Sequence, residues 1–189
     1  MRIAFTGSTS TGKTTLVEAL LQDPTFSEYV SVHHTVDARH ILQNLGFHSM
    51  DPMTPEETRY FQLTYFIRKL YGERGRSSFV TERSFVDIAA YWMERDTLGC
   101  SQFEQRILMD PCEMEAKSYE IHFYLPFDVV PFQSDGWRSE DLDFHRRVDR
   151  RIHSLLEAWK INYVTLATPS HTERIETVLR HLRRISASQ

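Results

Sequence analysis

The chain opens with Arg2-Ile-Ala-Phe-Thr6, followed directly by Gly7-Ser-Thr-Ser-Thr-Gly12-Lys13-Thr14-Thr15. The first five residues read as a short buried strand, and Thr15-Leu-Val-Glu-Ala-Leu-Leu21 reads as the start of a helix. Between them lies a glycine, four residues, then Gly-Lys-Thr, the spacing of a phosphate-binding P-loop in the strand-to-helix context that its chemistry requires. Gly7 and Gly12 allow tight turns and close backbone approach, so that N–H groups of Ser8, Thr9, Ser10 and Thr11 can point at phosphate oxygens. The following helix adds the positive end of its dipole. Lys13 brings a mobile full charge for the β- and γ-phosphates, and the Thr14 hydroxyl is a ligand for Mg²⁺. The pattern implies a nucleoside triphosphate held on Gly7–Thr15, with ATP and Mg²⁺ as the expected pair.

The rest of the chain sets bounds on what accompanies that loop. At 189 residues it suits one domain with a proper core. Its 41% hydrophobic and 25% charged residues are ordinary for a globular protein. A net charge of −4 argues against a general nucleic-acid surface. With no apolar run of bilayer length and no leader-like N-terminus, a cytoplasmic protein without membrane contact is expected. Cys100 and Cys112 do not have zinc or redox spacing. The nine histidines show no ligand pattern, and His33-His34 reads as structural.

Five short apolar runs, Arg2–Thr6, Tyr29–His33, Phe79–Glu82, Ile121–Leu125 and Tyr163–Ala167, alternate with helical patterns. This alternation predicts an α/β fold with a mainly parallel sheet and helices on both faces. Thr54-Pro55-Glu56-Glu57 is a capping box opening a helix whose stripe is Leu63, Phe66, Ile67 and Leu70. Ser170-His-Thr-Glu173 is a second box, and Val148, Ile152, Leu155, Leu156 and Trp159 form another core-facing stripe. The aromatics Tyr60, Phe61, Tyr65 and Phe66 read as core rather than as a base-stacking platform.

In a parallel sheet, ligands bind beyond the carboxyl ends of the strands. Phe79-Val-Thr-Glu82 ends there, with Arg83-Ser84 starting the next helix. Glu82 is therefore expected to hold Mg²⁺ together with Thr14, or to position an acceptor hydroxyl. Arg83 is expected to grip an acceptor or a transferring phosphoryl group with its planar fork, the alternative being a pair with Asp87. Ser84 reads as a helix cap. Asp37, after the second strand, is a candidate general base and equally a first-turn acid favouring its helix dipole; Arg39 is a candidate anion contact. Residues 131–151 resemble a lid hinged at Gly136, in which Arg138 brings charge to the migrating group. Asp135 can order that segment. Arg146, Arg147, Arg150 and Arg151 are further candidates or simply a solvated face.

These motifs together resemble the P-loop kinase-like family that groups NadR-type ribosylnicotinamide kinase domains with AAA-type ATP-binding proteins of bacteria and phages. More distantly they are similar to deoxynucleoside and thymidylate kinases. The resemblance rests on the P-loop at 7–15, Ala38-Arg39, Glu82-Arg83-Ser84 with Asp87 and Tyr91, Asp135-Gly136-x-Arg138, and Glu173-Arg174-Ile175. It implies strand order 2-3-1-4-5, an ATP site at the P-loop, an arginine lid, and phosphoryl transfer to a nucleoside, nucleotide or similar small acceptor. One departure is Val36, which stands where family members often carry a glutamate. The expected function is thus an ATP- and Mg²⁺-dependent kinase in a single domain spanning 1–189, with lysine and arginine catalysis by Lys13, Arg83 and Arg138. A homodimer is compatible with it. Two alternatives are a nucleotide-dependent switch acting on a protein, and a kinase acting on a base within nucleic acid.

Overall fold

The computed structural model describes residues 1–50, 52–95, 100–134, 137 and 139–187. In chain order the elements are β1 (Arg2–Thr6), α1 (Lys13–Leu21), α2 (Pro24–Ser27), β2 (His33–His34), α3 (Ala38–Asn44) and α4 (Pro55–Glu73). They continue with β3 (Phe79–Glu82), α5 (Phe85–Glu94), α6 (Gln102–Ala116), β4 (Ile121–Tyr124), α7 (Leu142–Ala158), β5 (Tyr163–Thr165) and α8 (His171–Ser186). The five strands form one parallel sheet in the order β2-β3-β1-β4-β5, the order implied by the family resemblance.

Parallel pairing demands that both faces be covered, and two apolar clusters do so. On one face Leu16, Val17 and Leu20 of α1 meet Val178 and Leu182 of α8 over Ile3, Phe5 and Phe123. On the other, α4, α5, α6 and α7 pack over Ala4 and Phe79, with Val148, Ile152, Leu155 and Leu156 of α7 and its C-cap Trp159 buried as their spacing predicts. β1 lies in the middle, so the P-loop that leaves its carboxyl end is flanked by the ends of β3 and β4.

Three local expectations are corrected. The strand expected at Tyr29–His33 is only His33–His34. Its approach is pinned by side chains instead of a ladder: Ser31 Oγ donates to Ser78 O at 3.2 Å, and Ser78 Oγ donates to Tyr29 O at 3.2 Å. β4 and β5 likewise stop before Leu125 and Leu166, although both residues keep a sheet-like bond, to Thr6 O and Tyr124 O.

The buried face of α4 is only partly the expected Leu63–Phe66–Ile67–Leu70: Phe66 is buried and Leu63 and Leu70 pack against the core. Ile67 is 48% exposed, while Phe61, Gln62, Tyr65, Phe66, Lys69 and Glu73 face inward. A buried polar network turns the helix: Lys69 Nζ donates to Glu73 and to Thr81 Oγ1 (2.8 Å), and Tyr119 Oη donates to Glu73 Oε2 (2.7 Å). Hydrophobic periodicity cannot see such a face, because its inward residues include charges made tolerable only by mutual pairing.

The capping box at Thr54–Glu57 is complete. At Ser170 only the forward bond forms, from Glu173 N to Ser170 Oγ. Glu173 accepts from Thr168 Oγ1 at 2.6 Å instead of returning to the Ser170 N–H, which donates to Thr168 Oγ1.

Candidate phosphate site and adjoining cavity

Between β1 and α1 the backbone visits conformations that few residues tolerate. Gly7 has φ +151°, and a Cβ there would lie 2.4 Å from Leu125 O. Gly12, at φ +85°, sits immediately before α1 as its left-handed N-cap. Ser10 is also left-handed, at φ +62°, so the loop carries strain at a non-glycine position, as functional loops often do. The geometry leaves the first N–H groups of α1 and the positive end of its dipole at the mouth of the loop.

Lys13 is buried within the loop. Its Nζ donates to Gly7 O (2.8 Å), Ser8 O (2.5 Å) and Thr11 Oγ1 (3.0 Å). Burial, then the neighbouring Arg83 charge, bring its pKa down to about 8, against the opposing pull of Asp87, Tyr91 and Glu82. Thr14 Oγ1 donates to Glu82 Oε2 at 2.5 Å, so the last residue of β3 meets the P-loop helix as expected. The other Glu82 oxygen is 3.4 Å from His33 Nε2. Burial would raise the Glu82 pKa, but the His33 and Thr14 hydrogen bonds and the Lys13 charge hold it below the usual range.

Arg83 stands at φ +63° and points across the P-loop. Its Nη2 donates to Thr9 Oγ1 at 3.2 Å, and its guanidinium lies 5.0 Å from the centre of the Tyr91 ring. Tyr91 Oη in turn shares a 2.9 Å hydrogen bond with Thr9 Oγ1. Burial alone would raise the Tyr91 pKa, but the Arg83 charge and the hydrogen bonds from Thr9 and Arg83 outweigh it and bring the value to about 8.

Asp87 does not pair with Arg83. Its carboxylate accepts from Thr6 Oγ1, Gly7 N (3.0 Å), Ser84 N (2.7 Å) and Ser84 Oγ (3.1 Å). It thereby clamps the β1 end, the first P-loop residue and the α5 start together. Ser84 is the α5 cap, accepting from Val86 N, with Asp87 completing a capping box that the sequence reading missed.

Beyond Thr9 and Arg83 opens a cavity of about 190 Å³. Its floor is apolar, from Leu42, Met50, Phe61 and Ile88, while Gln62, Tyr65, Arg39, Arg95 and His145 supply polar groups. The Gln62 side chain is buried against this space. Phe61 and Tyr65, expected as core, also line it. Arg39 lies on the wall, 5.9 Å from the Trp137 ring centre, where the sequence placed an anion contact.

The remaining candidates divide. Asp37 is exposed and caps α3, accepting from His40 N at 3.1 Å; it is not part of the cavity wall. Arg138, with Asp135 and Gly136, lies outside the described residues. Before it, Gln133 N donates to Ser10 Oγ at 2.8 Å and ties the segment after β4 to the P-loop. Arg146 pairs with Asp128 and Asp143, Arg151 pairs with Glu94, and Arg147 lies near Glu94 and Asp141. Arg150 is exposed. Gln62, Asp87 and Tyr91 carry site geometry that the sequence reading did not assign; the turn-by-turn spacing of Ser84, Asp87 and Tyr91 on one face of α5 was the available signal.

A family profile described as an AAA domain matches residues 2–174. No curated protein matches the sequence. Among solved structures, the deoxyadenosine kinase of M. mycoides with its products dCMP and a flexible dCDP is similar, with TM-score 0.68 and 14% identity, covering 98% of this chain and 100% of that one. The same kinase with bound dCTP gives TM-score 0.67 at 14% identity, over 97% and 100%. Thymidylate kinase from Ehrlichia chaffeensis gives 0.64 at 14% identity, over 97% and 98%. At these identities the likeness is one of fold. The family match runs from the first strand to the first turn of the last helix and takes in every site residue described above, and the chain belongs to the AAA-domain family of P-loop proteins.

Proposed function

We propose that the protein is an ATP-dependent kinase that moves a phosphoryl group from the P-loop to a small nucleoside- or nucleotide-like acceptor in the adjoining cavity. One observation carries this reading: Thr9 belongs to the P-loop and also bonds Arg83 and Tyr91 of the cavity wall. A donor phosphate on the loop and an acceptor in the cavity therefore meet with no intervening element. Kinase chemistry needs such positioning and charge more than it needs covalent help from the protein.

Lys13 leaves its loop carbonyls for the phosphate oxygens and balances charge that builds as the bond to the leaving oxygen breaks. Arg83 orients the acceptor oxygen and the migrating group with its fork. Asp87 holds the loop still while this happens. Thr14 and Glu82 present two hard oxygen donors to the phosphate end of the site, a set that fits Mg²⁺, and they would hold it there. When bound, the ion supplies neutralisation of phosphate charge. Residues 131–151 are read as the cover, with Arg138 proposed from the sequence to bring charge to the migrating group; Asp37 serves α3.

The cavity favours a small acceptor with an apolar base-like portion and polar edges. The Gln62 amide offers one donor group and one acceptor group to such an edge. The solved neighbours act in the same substrate range: one is named as a deoxyadenosine kinase, another as a thymidylate kinase. Screening nucleosides, nucleoside monophosphates and nicotinamide riboside with ATP, reading ADP release and product mass, tests the proposal. One acceptor should gain a phosphoryl group stoichiometrically with ADP. ADP release that ignores every acceptor and responds to a protein partner would instead favour the switch.

A further inference from the structure

The kinase reading gives no task to Arg174 of the Glu173-Arg174-Ile175 motif. It lies in the first turn of α8, yet it is only 3% exposed. Its Nη1 donates to Thr11 O of the P-loop at 2.9 Å, and its Nε donates to Thr168 O, after β5, at 2.7 Å. Nη1 also lies 3.0 Å from where a Gly12 Cβ would stand. Among the described residues Nη2 is buried without a hydrogen-bond partner, and no carboxylate charge offsets the burial of the guanidinium. Arginine keeps its charge even when buried, so the molecule maintains an uncompensated cation directly behind the phosphate-binding turn.

That arrangement is costly unless something anionic repays it. The P-loop works by turning N–H groups inward, and a carbonyl that is thereby turned away from the loop centre needs a donor from elsewhere. Thr11 O is such a carbonyl, and Arg174 supplies its donor while the same guanidinium grips the segment after β5. We propose that Arg174 is a positioning residue that holds the P-loop in its phosphate-binding form and couples phosphate occupancy to the 166–174 segment. The inference rests on the donor-site reading above. Through it, polyphosphate on Gly7–Thr15 stiffens a segment across the sheet that need not touch the ligand.

Inorganic tripolyphosphate is the probe, because it has no base or sugar to reach residues 166–174 directly. Calorimetry should show wild-type binding, and Arg174→Met should weaken it about tenfold, as expected when charge-assisted bonds to a carbonyl are lost. Arg174→Lys, which keeps charge but not the fork, should fall between. Hydrogen exchange should show tripolyphosphate slowing amides at 166–174 in the wild type, and this slowing should vanish in Arg174→Met. A merely structural arginine would lower the melting temperature without making 166–174 respond to phosphate. Folded Arg174→Met binding within about twofold of wild type overturns the proposal. So does saturated wild-type protein with unchanged exchange at 166–174, a measurement that needs no variant to fold. Wild-type protein that binds neither tripolyphosphate nor ADP would overturn the donor-site reading itself, a separate result.

Discussion

The phosphate loop and the cavity beside it are built on opposite principles. The loop is one contiguous run, Gly7–Thr15, whose donors are mostly backbone and whose shape is fixed by two glycines. The cavity is assembled from α3, α4 and α5, each contributing three side chains, together with His145 of α7, Trp137, Ser139 and residues of the connecting loops. The first is a solution to a problem every nucleotide poses, a flexible polyanion, so its chemistry hardly varies. The second answers to one acceptor, so its identity lies in side chains brought together from distant positions. The two regions join at Thr9, Arg83 and Tyr91.

If that division holds, mutations on the two sides should have separable effects. The largest belongs to the loop: Lys13→Ala should remove about 10³-fold or more of the transfer rate, roughly 4 kcal/mol of transition-state stabilisation. The protein should remain folded by circular dichroism. Arg83→Met, at the junction, should lower kcat by about 10²-fold while the dissociation constant for ADP changes little, because its work is on the acceptor and the migrating group. Steady-state kinetics and calorimetry on the same preparation separate the two. Gln62→Ala should raise KM for the acceptor about tenfold, the scale of a lost polar contact, without altering ADP affinity. A parallel loss of ADP binding in Gln62→Ala would break the division outright.

The smallest effect expected is that of pH on donor binding. Lys13 has a pKa near 8 in the free protein, held down chiefly by burial. A bound polyphosphate favours the protonated lysine and raises that value, so binding above pH 8 takes up a proton. ADP affinity should therefore be flat just below 8 and fall as pH rises through it, by at most about tenfold per pH unit. The same residue makes the free protein gain stability between about 8 and the ordinary lysine value near 10.5, because there the unfolded chain binds more protons. Isothermal titration across pH 7.5–9.5, roughly the window that linkage defines, measures the first effect.

The same contrast explains what was legible. The P-loop, the meeting of Thr14 with Glu82 and the α7 stripe could be read because each depends on local spacing or on a motif with one geometry; the strand order came only with the family resemblance. The inward place of Lys69 and Glu73 on α4 could not, since they look solvent-facing until Thr81 and Tyr119 are placed against them. Asp37 looked equally suited to be a base or a first-turn acid favouring its helix dipole, and the structure uses its carboxylate to cap α3. Asp87 was legible only as part of a motif. Its bonds to Ser84 are a local capping box, but those to Thr6 and Gly7 exist because β1 and β3 are neighbours, which no local pattern states.

The central claim is that phosphate leaves the loop for a molecule in the cavity. A single-turnover quench with γ-labelled ATP and the acceptor found by screening tests it most directly. The account predicts that the label appears on the acceptor, one for each ADP formed, and that Lys13→Ala shows none. Label recovered as inorganic phosphate at the same rate with and without any acceptor would contradict it.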